Sequence, residues 1–243
     1  MSNSYFFLYI LKGVFQKPDN KIIEGFDVPD DSVQFKFTVQ VFRKLINGST
    51  GCGGSLISPN YVLTAAHCVE NNIKMKVVIQ QPLLKKNATY DVSDVITHPK
   101  FGRQTSLIIY DFAILKLKVP VNETNFFVCL PSNDLDQFVG ANLTISGWGR
   151  INPEIDTHFD VLKSGYITAM LNFDCSKIYK KLLNRLIQEK YPGHFKVIVP
   201  IPQTIICVDG HLTKSAPCMG DSGGRFYVLI INFKNLNNCK LRF

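Results

Sequence analysis

The chain has one tryptophan, Trp148, and no Cys-x-x-Cys pair among its seven cysteines. The missing pair argues against zinc ribbons and dithiol redox motifs. Five histidines, His67, His98, His158, His194 and His211, show no ligand-like spacing, so neither a metal nor a cofactor is expected. No run reaches the roughly 18 apolar residues that a membrane-crossing helix needs. Acidic residues are the minority charge, with 19 Asp and Glu against 27 Lys and Arg, a net +8. No basic helix interleaved with exposed aromatics accompanies that excess. The chain therefore reads as a soluble basic protein, not a binder of nucleic acid or membrane. Internal repeats are also absent.

What is present is a globular composition, 46% hydrophobic over 243 residues, enough for one large or two small domains. Seven cysteines without metal spacing point to disulfides and a secreted, extracellular protein. Tyr5–Leu11 is an apolar run at the short end for a signal core, with no basic residue before it. Residues 1–21 are accordingly expected to be a weak signal and propeptide. Asn47, Asn87, Asn122 and Asn142 each begin an Asn-x-Ser/Thr sequon, a weak support for secretion.

Short alternating apolar pieces follow: Val33–Val41, Ser55–Ile57, Tyr61–Leu63, Lys76–Ile79, Tyr90–Ile96 and Phe112–Val119. Gly, Pro and Asn punctuate them, which predicts short antiparallel strands in an all-β sandwich or barrel. Asp174–Lys190 differs. It places Ile178, Leu182, Leu183, Leu186 and Ile187 on one stripe of a predicted amphipathic helix, with Lys177, Lys180, Lys181, Arg185 and Lys190 largely elsewhere.

The chemistry is concentrated in three places. Gly220-Asp221-Ser222-Gly223-Gly224 puts a serine on a tight, glycine-flanked turn beside backbone N–H donors. A serine alone is a poor nucleophile and needs a base and an orienting acid. Thr64-Ala65-Ala66-His67-Cys68 supplies a histidine after an apolar run, and Asp111 is one acid within Tyr110–Leu115. The order His, Asp, Ser is one known solution for a serine triad.

With Cys52-Gly53-Gly54-Ser55-Leu56-Ile57 and Gly147-Trp148-Gly149, these segments resemble the chymotrypsin-like (trypsin family) serine proteases over about Ile22 to Gly224. The resemblance implies two six-stranded antiparallel β-barrels, the first about 22–128 and the second about 135–243, with the active site between them. It implies His67 as base, Asp111 as its orienter, Ser222 as nucleophile, and the amides of Gly220 and Ser222 as oxyanion hole. It also implies disulfides Cys52–Cys68 and Cys175–Cys207. Cys218 normally pairs with a cysteine well downstream of the serine, and Cys239 is the one candidate left. Cys129 resembles a cysteine that tethers a propeptide, yet residues 1–51 contain none.

Lys21-Ile22-Ile23-Glu24-Gly25 resembles an activation site. Cleavage after Lys21 by an activating protease would free the Ile22 amine to pair with Asp221. Ala216, six positions before Ser222, stands where a trypsin-like pocket has a carboxylate, so a preference for Lys or Arg is disfavoured. Protein or peptide substrates and a protein inhibitor are the expected partners. Two departures follow Gly224: Arg225 replaces a usual proline, and the substrate-wall tryptophan has no counterpart. The second barrel is expected to be incomplete. The expectation is a serine endopeptidase, made as a zymogen. The alternative is a non-catalytic protease-like binding or regulatory protein, since the substrate-wall region is missing.

Overall fold

The computed structural model describes residues 25–29, 32, 35–45, 48–69, 75–79, 88–104, 107–122, 127–128, 139–149, 161–190, 207–210, 215, 222 and 225–228. These residues form thirteen strands and one α-helix. The first group is a closed six-stranded barrel. Its members are β2 (Thr38–Leu45), β3 (Gly48–Ser58), β4 (Tyr61–Thr64), β5 (Met75–Ile79), β6 (Ala88–Thr97) and β9 (Ala113–Leu117), in the order β2-β3-β4-β9-β6-β5. β5 returns to pair with β2 and completes the circle.

The barrel closes because its strands alternate. In β9, Ala113, Leu115 and Leu117 are buried while Lys116 is exposed, the two-residue period of a pleated strand. In β2, Val39 and Val41 are buried with Gln40 less so between them, and Val62 and Thr64 do the same in β4. Val39, Leu56, Val62, Val77 and Leu115 are fully buried in one cluster. Each such side chain contributes about 1.5–3 kcal/mol relative to exposure. Gly54 of β3 makes that density possible. A Cβ on it would lie 2.9 Å from Val62, 3.0 Å from Val39 and 3.1 Å from Val41.

β2 begins at Thr38, not Val33, because Phe35–Phe37 turn before the strand starts. β6 and β9 occupy the predicted segments within two residues at each end. β7 (Gly102–Gln104) and β8 (Leu107–Ile109) make a separate hairpin between them.

The second group is a five-stranded sheet among the described residues. It contains β1 (Phe26–Asp27), β10 (Asn142–Gly147), β11 (Lys163–Met170), β12 (Cys207–Asp209) and β13 (Arg225–Val228). β11 pairs with β1, β10 and β12, and β10 pairs with β13. Leu143, Ile145, Ile167 and Ala169 form its buried cluster. β1 comes early in the chain yet joins this sheet. Val28 N donates to Leu162 O at 2.9 Å, and Val28 packs with Phe35, Trp148 and Leu162. Lys163 is buried on β11, and its ammonium is ion-paired with Asp27, opposite it in register.

Helix α1 (Asn172–Lys190) carries Cys175, joined to Cys207 at the start of β12 with 6.1 Å between Cα atoms. Ile178, expected on the apolar stripe, is 40% exposed, whereas Tyr179, one turn after Cys175, is 2% exposed. Residues four apart share a face, so the side anchored by Cys175 is the buried one. Lys177, Lys181 and Arg185 are exposed. No helix among the described residues is long and apolar enough to cross a membrane.

Candidate active site

His67 and Asp111 are 44 positions apart in sequence, and strand register brings them together. β4 ends at Thr64, which faces Ala113, the first residue of β9. Three residues beyond Thr64 is His67, in the 3-10 turn Ala66–Cys68. Two residues before Ala113 is Asp111. Both therefore emerge at one rim of the closed barrel. The turn holds Ala66 fully buried and Ala65 nearly so, and larger side chains would not fit there. Thr64 Oγ1 donates to Gly53 O at 2.8 Å, while Cys68 N and Val69 N donate to Ala65 O and Ala66 O.

The contact between the two is double. His67 N donates to Asp111 Oδ1 at 2.9 Å, and His67 Nδ1 lies 2.6 Å from Asp111 Oδ2. Burial pushes the Asp111 carboxyl up, but hydrogen bonds and charge from His67, with the Ala66 amide, more than offset this and hold it below the usual carboxylate range. An ionised carboxylate only accepts, so Nδ1 carries the proton. In the neutral ring Nε2 is then left with its lone pair. Both side chains are a quarter exposed, open enough for a ligand to reach them.

Cys52 and Cys68 are bonded, with 6.3 Å between Cα atoms, stapling the His67 turn to β3. The Cys68 sulfur is 3.6 Å from His67 Nε2 and 3.7 Å from Ser222 O. Ser222 O also accepts from Gly53 N at 2.7 Å. The backbone of Ser222, from the far end of the chain, thus reaches the His67 turn. Cys52, His67 and Cys68 offer three potential ligand atoms within 4.8 Å, but both sulfurs are held in the disulfide and neither is a thiolate.

Other predicted site residues, Ile22, Ala216, Gly220, Asp221, Cys129, Cys218 and Cys239, lie outside the described residues, as does the segment 1–21. Ser215, just before Ala216, is described and buried. It lies so close to Gly210 that a Cβ there would collide with its carbonyl. Sequence reasoning passed over one feature. Tyr110, immediately before Asp111, has φ 51°, the left-handed region. Such a conformation in a bulky residue costs about 1–3 kcal/mol. No composition or spacing signal marks it.

A closed six-stranded barrel joined to a second antiparallel sheet, with a His–Asp pair at the rim and a serine turn beside it, is the architecture of the chymotrypsin-like class. The solved structure of neuropsin, a serine protease expressed in the limbic system of mouse brain, has this fold. It matches with a TM-score of 0.63 at 23% identity, over 84% of this chain and 82% of that one. The sequence profile of the Trypsin family matches residues 22–228, and the chain belongs to that family of serine endopeptidases. It is 29% identical over 214 residues to Trypsin 5G1 of Aedes aegypti, covering 86% of this chain and 71% of that protein. It is 27% identical over 229 residues to phenoloxidase-activating factor 3 of Holotrichia diomphalia, covering 86% of this chain and 60% of that protein. Family membership makes proteins or peptides its substrates.

Proposed function

We propose that the chain hydrolyses peptide bonds through His67, Asp111 and Ser222, by way of an acyl-enzyme. The observation that carries this reading is the two-point grip of Asp111 on His67, with the Ser222 backbone hydrogen-bonded beside it to Gly53. As Ser222 Oγ attacks the scissile carbonyl carbon, its proton passes to His67 Nε2 and the carbonyl electrons move onto oxygen. The amides of Gly220 and Ser222 receive that oxyanion. Collapse breaks the C–N bond, and His67 returns the proton to the leaving amine. Water then repeats the sequence on the acyl-enzyme. Asp111 holds the neutral imidazole in the Nδ1–H tautomer and stabilises the imidazolium that forms when Nε2 takes the proton.

Activation by cleavage after Lys21 belongs to the same reading, with the Ile22 amine pairing with Asp221. Ala216 supplies no carboxylate for a Lys or Arg side chain, so an apolar or medium-sized residue at the cleaved position is favoured. Preferential cleavage after Arg would sink that part. Secretion is supported by the two disulfides, which persist in oxidising compartments. The similarity to a phenoloxidase-activating factor supports a place in a proteolytic cascade, with an upstream activating protease and a protein inhibitor as partners.

The test is a fluorophosphonate probe on chain cleaved after Lys21, read by mass spectrometry, beside a Ser222→Ala control. Labelling at Ser222 alone is the expected result. No labelling of folded, correctly cleaved protein would overturn the reading and leave a non-catalytic relative.

A further inference from the structure

We propose that His98 and Tyr110 form a clamp that positions the Asp111 carboxylate on His67. The proposal rests on the protease reading of His67 and Asp111, and it assigns a role to two side chains outside the triad. Tyr110 is the one non-glycine residue with positive φ among the described residues, and it adjoins Asp111 in the chain. A large side chain stays in that region only when its surroundings hold it there.

The holding group is an imidazole. The Tyr110 ring stacks on His98 with centroids 4.7 Å apart and planes 6° from parallel. Phe112, on the other side of Asp111, packs against the same imidazole at 4.5 Å and 53°. The two chain neighbours of Asp111 therefore grip one ring. Backbone bonds tighten the arrangement. His98 N donates to Phe112 O at 3.1 Å, and Phe112 N donates to Tyr110 O at 2.9 Å, closing a three-residue turn around Asp111. The imidazole is itself oriented, since Lys100 N donates to His98 Nδ1 at 3.1 Å. The Lys100 ammonium sits 5.7 Å from the Tyr110 ring centroid.

The direction of the Asp111 side chain follows from the torsions of residues 110–112. If Tyr110 relaxed to negative φ, the peptide entering Asp111 would rotate and the carboxylate would swing relative to His67. A displacement of about 1 Å at such a group costs on the order of a hundredfold in rate. His98 and Tyr110 are positioning residues, so their loss lowers kcat and leaves KM near its original value.

Four variants of the full chain separate the stack from the hydrogen bond. Tyr110→Phe and His98→Phe keep stacked rings. Tyr110→Ala and His98→Asn remove a ring, and His98→Asn retains an acceptor for Lys100 N. After activation, Tyr110→Ala and His98→Asn are expected to lose about tenfold or more in kcat with KM unchanged. The two Phe variants stay within about twofold. Wild-type kcat in both ring-removed variants overturns the clamp, as does a raised KM with unchanged kcat. A second readout needs no turnover: the low-field proton resonance of His67 Nδ1–H, which reports the bond to Asp111. It is expected to shift and broaden in Tyr110→Ala but not in Tyr110→Phe, and an unshifted signal in Tyr110→Ala overturns the proposal. Absence of Ser222 labelling in the parent chain would sink the protease reading instead, and the resonance would still decide the clamp.

Discussion

In the barrel, six strands close on one another around Val39, Leu56, Val62, Val77 and Leu115, and no edge is left among them. In the second sheet, the described residues bury a smaller cluster, Leu143, Ile145, Ile167 and Ala169, along an open path of strands. The sheet is fastened instead by particular bonds: Cys175–Cys207 to the helix and Lys163–Asp27 across β11 and β1. His67 and Asp111 both sit on the barrel, so their mutual geometry is a property of one closed object. The Ser222 backbone also meets the barrel, through Gly53 N and the Cys68 sulfur. The acid–base pair thus depends on the barrel alone, and it should survive damage confined to the second sheet.

The largest effect should come from the pair itself. Asp111→Asn is expected to lower kcat by about 10⁴-fold, the loss the same change causes in the family's template triad. Its urea midpoint at neutral pH should fall only modestly. The pH dependence sharpens the point. Asp111 is held below its usual 3.8, so its contribution to stability is present above that value and fades as pH falls through the lower folded-state value. Urea midpoints of wild type and Asp111→Asn should therefore converge in that acid window. A constant gap would mean the carboxylate is not stabilised by His67.

Next in size is the sheet's staple. Replacing Cys175 and Cys207 together by Ser opens a 32-residue separation and should cost about 4 kcal/mol in urea unfolding. The His67 Nδ1–H resonance, belonging to the barrel, should survive in the folded variant. Its loss would show that the pair depends on the second sheet. Gly54→Ala strikes the other side. The added methyl meets three buried valine side chains, and overpacking of this kind typically costs about 1–3 kcal/mol. Differential scanning calorimetry would read it as a lowered Tm. The smallest effect is expected at Lys118, whose ammonium lies 3.8 Å from Asp91 with both side chains more than half exposed. Lys118→Ala should change stability by no more than about 0.5 kcal/mol, vanishing at high salt.

The strands of the barrel were legible in the sequence because their information is local, whereas the choice of barrel over sandwich came from the family resemblance. Alternation in Ala113–Leu117 and Tyr61–Thr64 reports directly which face is buried, and the residues around His67 carry their own signature. What escaped depends on partners distant in sequence. The two-residue β1 exists only because Ser164 and Lys163 receive Phe26 and Asp27. The burial of Lys163 is equally invisible, since charge predicts exposure until its partner is known. On α1 the periodicity was right for a helix, but Ile178, placed on the apolar stripe, is 40% exposed while Tyr179, one turn after Cys175, is buried. Among candidate site residues, His67 and Asp111 meet as their spacing in a triad order suggested. The left-handed turn at Tyr110 could not be read, because the ring that supports it comes from His98, twelve positions earlier.

The Cys52–Cys68 bridge has a consequence for where the protein can mature. Joined, the two sulfurs are bystanders beside the imidazole. Reduced, the same corner would present two thiols beside a histidine, donor types that zinc takes. A chain folded in a reducing, zinc-bearing compartment would then expose its base to capture as a ligand. Oxidation of the pair thus removes a competing use of His67.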